Sequence, residues 1–276
     1  MEVKQVKLIY FSPTGTTQKV LENIAKGFTF EDTEHIDLTL PQGAQQTIPP
    51  FSDELVIIGA PVYGGRLPVD AVNRFKQLKA NKTLAILIVV YGNREFEDAL
   101  LELKDLALEV GFIPVAGGAF IGEHSFATTD LPIANGRPDS RDVQKAIDFG
   151  AKIKEKIIGL PSPDAQIDLE IPGNFPYKVR AQSTAVSPVT NEDTCTICGD
   201  CANVCPTAAI SINGRVATTV ELCIRCCACI KICPTGARTI EDSMWKNMAN
   251  WLNENFSTRK EPQIFGIQTR PAPIDV

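Results

Sequence analysis

The chain has 276 residues, with 27 Lys and Arg against 33 Asp and Glu, which gives a net charge of −6 at neutral pH. This acidic balance argues against nucleic acid and anionic membrane surfaces as main partners, and the length suits two domains of ordinary size. No apolar run reaches the roughly 18 residues of a membrane helix, and the first residues lack a signal-peptide pattern, so we expect a cytoplasmic protein. All nine cysteines lie between Cys195 and Cys233, which indicates metal or redox chemistry rather than disulfides.

The first half of the sequence alternates strand and helix patterns. Apolar runs, which predict strands, cover 6–11, 55–60, 84–91 and 113–121, with a weaker run at 35–40. Helical patterns follow these runs at 17–27, 69–78, 97–110 and 141–158. Five strands that alternate with helices predict an α/β domain over 1–158, in which a five-stranded parallel sheet is covered by helices on both faces.

A loop rich in hydroxyl groups, Ser-Pro-Thr-Gly-Thr-Thr, lies between the first strand and the first helix. It matches neither the lysine-containing loop of nucleoside triphosphatases nor the glycine pattern of dinucleotide-binding folds. Hydroxyls and backbone N–H groups at the start of a helix can hold a phosphate monoester without a lysine. The predicted phosphate-binding residues are Ser12, Thr14, Gly15, Thr16 and Thr17.

Two further loops follow the third and fourth strands, at the edge where open parallel sheets bind their ligands. Each contains glycine, which permits close approach of the backbone, and one aromatic side chain, Tyr63 or Phe96. A phosphate site together with two aromatic rings beside a flat ring system is typical of bound FMN. The predicted flavin-binding residues are Ala60, Pro61, Val62, Tyr63, Gly64, Gly65, Gly92, Asn93, Arg94 and Phe96.

These three loops resemble, in order, the FMN-binding loops of the flavodoxins. The resemblance covers the first half of the chain, implies a flavodoxin-like doubly wound sheet, and implies that Tyr63 and Phe96 stack on the flavin. Arg94 departs from the family, in which acidic or neutral residues tend to surround the pyrimidine edge of the flavin. A cation there would favour an anionic reduced flavin and raise its potential. The alternative is a surface residue paired with Glu95 or Glu97.

Between 159 and 190 the sequence contains five prolines and has no helical period. We interpret this segment as a connector that either runs extended along a surface or stays flexible, and 167–171 could also form a strand. Before it, the last helix of the first half has a predicted start at Asp139 or Ser140, either of which can cap it. His124, after the fifth strand, is either structural or part of the junction between flavin and cluster.

The cysteine-rich segment contains an internal repeat, in which four cysteines recur at a constant offset. Each half reads C-x₂-C-x₂-C-x₃-C-P, and three thiolates at these spacings can reach three irons of one cube. The fourth thiolate, before a proline, points to the cluster of the other half. The expected ligand sets are Cys195, Cys198 and Cys201 with Cys233, and Cys223, Cys226 and Cys229 with Cys205.

Soft thiolates select iron–sulfur clusters or zinc. The doubled spacing with crossed ligation favours two [4Fe–4S] clusters, because zinc ribbons do not use this spacing. The segment 191–240 resembles the bacterial two-cluster ferredoxins, which implies a small α+β domain. Cys227 interrupts that signature, and we expect it to be a buried small apolar residue rather than a ligand.

The segment 241–276 begins with an amphipathic helical pattern at 243–256 and continues as a proline-containing tail that should be extended. The helix either docks on the body of the protein or forms a partner interface. Its apolar stripe consists of Met244, Met248, Trp251, Leu252 and Phe256.

The whole sequence resembles the flavodoxin–ferredoxin fusion proteins of anaerobic bacteria and archaea. The resemblance implies an electron-transfer protein in which two [4Fe–4S] clusters exchange electrons with external redox partners and with a bound FMN. No catalytic acid, base or nucleophile stands out in the sequence, which favours a carrier. The alternatives are an FMN-dependent reductase of a small molecule, fed by its own clusters, and an interaction module with purely structural clusters.

Overall fold

The computed structural model describes residues 5–29, 33–52, 54–159, 169–180 and 186–266. In the first half, an α-helix follows each strand except the second, which is followed by a 3₁₀ turn at Gly43–Gln45. The strands are β1 (Val6–Tyr10), β2 (Thr33–Asp37), β3 (Leu55–Pro61), β4 (Thr83–Tyr91) and β5 (Phe112–Ile121). The helices are α1 (Thr16–Lys26), α2 (Val69–Phe75), α3 (Ala99–Glu109) and α4 (Ser140–Ile158).

These five strands pair in parallel in the order β2-β1-β3-β4-β5. This order is that of flavodoxin-type doubly wound sheets, whose ligands bind beyond the carboxyl ends of the strands where the winding direction reverses. One apolar core joins α1 and α4 to the sheet, and a second joins α2 and α3 to its other face. The central strand β4 is buried at every position, as its unbroken apolar run requires. The predicted parallel α/β architecture with these five strands is confirmed, but the sheet has a sixth, antiparallel strand at its edge that was not predicted.

Helix α4 begins after Asp139, whose side chain accepts hydrogen bonds from the amides of Arg141 and Asp142. The side chain of Asp142 in turn accepts from the amide of Asp139, which completes a capping box. The predicted cap at Asp139 is confirmed.

The connector is described over 169–180, where it runs without regular structure along helix α3. The carboxylate of Asp98 accepts hydrogen bonds from the backbone amides of Asn174 and Lys178, at 2.8 and 2.6 Å. The side chain of Lys104 donates to the carbonyl oxygen of Leu169. This part of the connector therefore lies extended on a surface. Residues 167 and 168 of the possible strand lie outside the described residues, and 169–171 are not in a strand.

The second half is built on the cysteine repeat. Strand β6 (Val189–Thr190) pairs with β9 (Arg238–Thr239), and β7 (Ile210–Ile212) pairs with β8 (Val216–Thr218), both antiparallel. The one-turn helices α5 (Asp200–Asn203) and α6 (Ala228–Lys231) occupy equivalent places in the two repeats. Each begins after a residue with left-handed backbone, Gly199 with φ 91° and Cys227 with φ 60°. Cys227 is thus the structural counterpart of a glycine.

The chain then returns to the first half through α7 (Ser243–Asn255) and β10 (Gln263–Phe265). Strand β10 joins the edge of the main sheet beside β5, in the antiparallel direction. The last residues of the predicted tail, 267–276, lie outside the described residues. Within the described ranges, no helix is both long and apolar enough to span a bilayer.

Candidate functional site

The eight cysteines of the repeat line two cavities in the second half. The inner cavity is lined by Cys205, Cys223, Cys226 and Cys229, and also by Cys227. The outer cavity is lined by Cys195, Cys198, Cys201 and Cys233. Each cavity therefore receives three thiols from one repeat and the fourth from the other, which is the grouping that the spacing predicted. The ligation itself stays a prediction.

The surroundings of these thiols fit a four-iron cluster. The backbone amide of Ala209 donates to Cys205 Sγ at 3.2 Å, and the guanidinium of Arg238 lies 3.7 Å from Cys229 Sγ. Hydrogen bonds to sulfur are a usual means of stabilising such clusters. Burial raises the pKa of the Cys226 thiol to about 12, so this group keeps its proton unless a metal replaces it. Cys205, Cys229 and the other six cysteines that line the two cavities, without Cys227, would hold the clusters.

The two cavities differ in their access to solvent. In the outer cavity Cys198 is exposed, and Cys195 and Cys233 are half-buried. Cys201 of the outer cavity is buried, and in the inner cavity Cys226 and Cys229 are buried while Cys205 and Cys223 are half-buried. The outer cavity is therefore the one with an exposed thiol.

The inner cavity faces the first half of the protein. Arg74 of α2, only 7% exposed, donates to the carbonyl oxygens of Pro206 and Leu38, both at 2.6 Å. Ile224, which lines the inner cavity, packs on the apolar core of the first half. An ion pair between Lys231 of α6 and Glu123 makes a further contact. These contacts hold the inner cavity against the carboxyl edge of the parallel sheet.

The predicted phosphate loop lies at this same edge. The Ser12 hydroxyl is buried and accepts from the amide of Gln18 at 3.1 Å, while Thr17 is buried below the loop. The hydroxyls of Thr14 and Thr16 lie 3.1 Å apart on the open side. A β-carbon at Gly15 would meet no atom within 4 Å.

Helix α1 follows this loop and begins at Thr16. It has no side-chain cap and no acidic residue in its first turn. Ser12 accepts from only one amide of this turn, that of Gln18, so the positive end of the helix can still face an anion, and the loop fits a phosphate.

The second predicted flavin loop forms a tight turn. The backbones of Tyr63 and Arg66 exchange two hydrogen bonds, of 2.8 and 3.2 Å, around Gly64 and Gly65. Both glycines have positive φ, 62° and 86°, so the turn is of type I′ and requires glycine. Arg66 is fixed by the buried carboxylate of Glu102, with hydrogen bonds of 2.8 and 2.7 Å. The turn is thereby held rigidly at the edge of the sheet.

Before this turn, Ala60 is buried in β3, and Pro61 and Val62 are half-buried at the strand end. Tyr63 follows them and is half-buried. Its pKa is raised, chiefly by burial and further by the charges that Cys226 and Cys227 would carry as thiolates.

The third predicted flavin loop differs from expectation at Phe96. This ring is 4% exposed and packs in the core, with its centroid 5.7 Å from that of Tyr91. A ring covered by the core has no open face for a flavin, so the structure places Phe96 away from the predicted stacking position. Arg94 donates to Glu97 at 2.7 Å, which is the surface pairing given above as the alternative.

Asn93 and Gly92 have roles that the sequence did not indicate. Asn93 is buried with φ 66°, and its amide donates to the carbonyl oxygens of Phe256 and Thr258 at 2.6 and 2.8 Å. It therefore anchors the C-terminal segment over the third loop. A β-carbon at Gly92 would lie 2.3 Å from the ring of His124, so only glycine fits beside this histidine.

His124 is half-buried, with its ring beside Gly92 and Phe126. Its Nδ1 accepts a hydrogen bond from the amide of Phe126 at 3.0 Å, so the proton of the neutral ring is on Nε2. Burial lowers the pKa of His124 to about 4, and the charges of Lys231 and Arg94 lower it further. The imidazole is therefore neutral at pH 7.

Of the residues in the apolar stripe predicted for α7, Leu252 is buried as expected, but three others are exposed. The buried residues of this helix are Trp245, Ala249 and Leu252. Met244, Met248 and Trp251 are exposed by 49, 46 and 45%. The helix is turned because Trp245 packs on Phe126, with ring centroids 4.9 Å apart.

Three comparisons with known proteins complete the description. Residues 187–234 match the family model described as a 4Fe-4S dicluster domain. A search of curated proteins gave no match.

Among solved structures, the oxidised Flavodoxin 2 from Bacillus cereus is 16% identical, with 55% of this chain and 99% of that chain covered and a TM-score of 0.41. The Fusobacterium nucleatum flavodoxin bound to flavin mononucleotide is 15% identical, with coverages of 56% and 99% and a TM-score of 0.38. The rubredoxin oxygen:oxidoreductase from Desulfovibrio gigas is 13% identical, with coverages of 57% and 38% and a TM-score of 0.40. The first half thus has the strand order of a flavodoxin-like doubly wound sheet, and the second half contains a segment that matches a 4Fe-4S dicluster domain.

Proposed function

We propose that this protein carries electrons between an external redox partner and a bound FMN, through two [4Fe–4S] clusters held in the outer and inner cavities. When bound, each cluster would pass one electron at a time, and the flavin would take one or two. The observation that carries the proposal is the hydrogen bond of 2.6 Å from Arg74 to the carbonyl oxygen of Pro206, which joins the lining of the inner cavity to the edge of the sheet where the predicted flavin loops lie.

The phosphate of FMN would be held at the start of α1. Thr14 and Thr16 would supply hydroxyl groups, and Gly15 leaves the space that the phosphate needs. Tyr63 is half-buried and would supply the aromatic face for the flavin ring, whereas the buried Phe96 would not take part. Arg94 is already paired with Glu97, so its effect on the flavin would be weakened.

The difference in exposure between the two cavities supports a direction of transfer. An external partner would dock near the exposed Cys198, and electrons would enter or leave at the outer cavity. The inner cavity would connect this entry to the flavin, because Arg74 and Ile224 fix it to the first half. A fixed contact of this kind replaces a diffusional encounter between two separate proteins.

The anchoring of the C-terminal segment supports a carrier over a reductase. A small-molecule reductase needs an open polar pocket over the flavin. Here the carbonyl oxygens of Phe256 and Thr258 are held against Asn93 in the third loop. This contact covers one side of the predicted flavin site.

Anaerobic purification followed by rapid mixing tests the proposal. We expect about 1 FMN and about 8 irons per chain, the latter from two four-iron clusters. After mixing with a one-electron protein donor, the cluster absorbance should bleach before the flavin is reduced. Zinc instead of iron, FAD instead of FMN, or direct reduction of the flavin ahead of the clusters would contradict the proposal.

A further inference from the structure

Arg238 in β9 lies between the two cavities. Its side chain is 3% exposed, and it is the residue that lines both the inner and the outer cavity among the described residues. It follows the last cysteine of the repeat closely in sequence and has no role in the functions described above. A charged side chain in this place needs an explanation.

Hydroxyl groups and a sulfur hold the guanidinium of Arg238. It donates to Thr190 Oγ1 at 2.7 Å and to Thr218 Oγ1 at 2.9 Å, and it lies 3.7 Å from Cys229 Sγ at the inner cavity. Within the described chain its Nε is buried without a hydrogen-bond partner, and no carboxylate forms an ion pair with it. The cation is therefore positioned by neutral groups.

The backbone of Arg238 acts on the other ligand set. The backbone amide of Arg238 donates a hydrogen bond to the sulfur of Cys233. Cys233 lines the outer cavity, whereas Cys229 lines the inner one. One residue therefore contacts a predicted ligand of each cluster.

A buried guanidinium without an anionic partner is strongly unfavourable. The missing negative charge has a natural source, because a four-iron cluster with four thiolate ligands is an anion, and it becomes more negative when it is reduced. Charge and hydrogen bonds to sulfur are among the factors that set cluster potentials. The low dielectric of a buried site strengthens the effect of a nearby charge.

We propose that Arg238 is a shared counter-cation for both clusters, which stabilises their reduced forms and raises both reduction potentials together. Arg238 is thus a positioning residue that acts through the ligand sulfurs. This inference rests on the proposed function only in requiring that both cavities hold clusters, and it requires neither the flavin nor a partner. Because one charge serves two cavities, its removal shifts both potentials in the same direction.

Redox titration of the iron-loaded protein, followed by EPR, tests this inference with R238Q and with R215Q as the matched control. Arg215 is an exposed arginine in the turn between β7 and β8, so the same charge is removed where solvent screens it. For R238Q we expect the ratio of oxidised to reduced cluster at a given potential to rise about tenfold for both clusters, which corresponds to about 59 mV for one electron. R238K, which keeps the charge, should shift less than R238Q.

Two results would overturn the inference. One is an iron-loaded R238Q whose potentials move no further than those of R215Q, and the other is a shift confined to a single cluster. If R238Q does not assemble its clusters, the inference is tested on the wild-type protein, labelled with ¹⁵N only in its arginine side chains. Pulsed EPR of the reduced clusters should then show a ¹⁵N coupling that persists in R225K, and its absence would also overturn the inference. A wild-type protein without iron would instead refute the proposed function.

Discussion

The guanidinium of Arg74 donates a 2.6 Å hydrogen bond to the carbonyl oxygen of Pro206, and this bond joins helix α2 of the sheet domain to the residue directly after Cys205. The same guanidinium also donates to Leu38, beyond strand β2, and lies over the ring of Phe11 at 5.2 Å. Cys205 lines the inner cavity. A single buried side chain therefore ties the inner cavity to the loops at the carboxyl edge of the sheet, where the phosphate loop also lies.

Replacing Arg74 by Met should loosen this junction. The substitution leaves the carbonyl oxygens of Leu38 and Pro206 without their donor, and a buried unsatisfied group costs about 1–3 kcal/mol of the free energy of unfolding. We expect R74M to keep its iron and its flavin but to transfer electrons between them more slowly. Rapid-mixing absorbance spectroscopy measures this rate.

The matched control is K76M at the end of the same helix. Lys76 is half-exposed, and its pairing with Glu109 at 3.5 Å is of the surface type that contributes about 0–1 kcal/mol. Both the rate and the stability of K76M should stay close to those of the wild type. A wild-type rate in R74M would show that the contact with Pro206 has no influence on transfer.

The crossed grouping of the thiols predicts which cluster each cysteine variant damages. Cys205→Ala should lose the cluster of the inner cavity, although Cys205 belongs to the first repeat, and Cys233→Ala should lose that of the outer cavity. Each variant should retain about 4 of about 8 irons. Iron analysis with EPR of the remaining cluster distinguishes the two, and loss of the outer cluster in Cys205→Ala would mean that ligation is not crossed.

Cys227→Ala is the control for this series. Cys227 is buried and stands at the position that Gly199 occupies in the first repeat, and its Sγ lies 3.6 Å from the carbonyl oxygen of Arg225. We expect the variant to keep all its iron, since its thiol is not needed to complete either set of four. Loss of iron from Cys227→Ala would mean that the ligands are wrongly assigned.

The sequence predicted the sheet because its strands are buried on both faces and are therefore continuous apolar runs. The exception is β2, which was expected at 35–40 and is found at Thr33–Asp37. This edge strand has a single buried residue, Ile36, so its apolar signal is weak. The next residues, Leu38 and Thr39, belong to the loop whose carbonyl oxygens bind Arg74.

The sequence around a residue does not determine whether its side chain packs in the core or faces a ligand. An aromatic residue after a strand predicts stacking equally well whether its ring faces a ligand or the core, and Phe96 faces the core. The buried face of α7 was mostly mispredicted for a similar reason. Trp245 packs on Phe126, which lies in a loop distant in the sequence. Arg74 and Arg238 carry no sequence signal, since arginines are mostly exposed and their burial depends on contacts made only after folding.

Tyr63 and Phe96 should differ in their effects on flavin binding. Tyr63→Leu removes the half-buried ring at the edge of the sheet, and an aromatic pair contributes about 0.5–1.5 kcal/mol beyond the area that it buries. The affinity for FMN should therefore fall about 2- to 10-fold. Fluorescence titration of the flavin-free protein measures the dissociation constant.

Phe96→Leu is the counterpart of this substitution. It replaces a core ring by a smaller apolar side chain, which should lower the free energy of unfolding by about 1 kcal/mol and leave FMN affinity unchanged. The reverse pattern, with weaker FMN binding in Phe96→Leu alone, would restore Phe96 as the stacking residue.

His124 should make the stability of the protein depend on pH. Burial, with help from the charges of Lys231 and Arg94, lowers the pKa of this histidine to about 4, whereas a histidine in an unfolded chain titrates near pH 6.5. Between about pH 6.5 and 4 the unfolded chain therefore binds more protons than the folded one, and the free energy of unfolding falls as the pH is lowered. Above this window the histidine is neutral in both states and has no effect.

The lowered pKa of His124 corresponds to a loss of about 3 kcal/mol in the free energy of unfolding across the whole window, at about 1.4 kcal/mol for each pH unit. Urea unfolding followed by tryptophan fluorescence at pH 7, 6, 5 and 4.5 should show this loss in the wild type and a smaller loss in His124→Gln. His35, the other histidine of the chain, is exposed in β2, and His35→Gln should keep the wild-type curve. If His124→Gln and the wild type lost stability in parallel over this range, the imidazole of His124 would not be the group responsible.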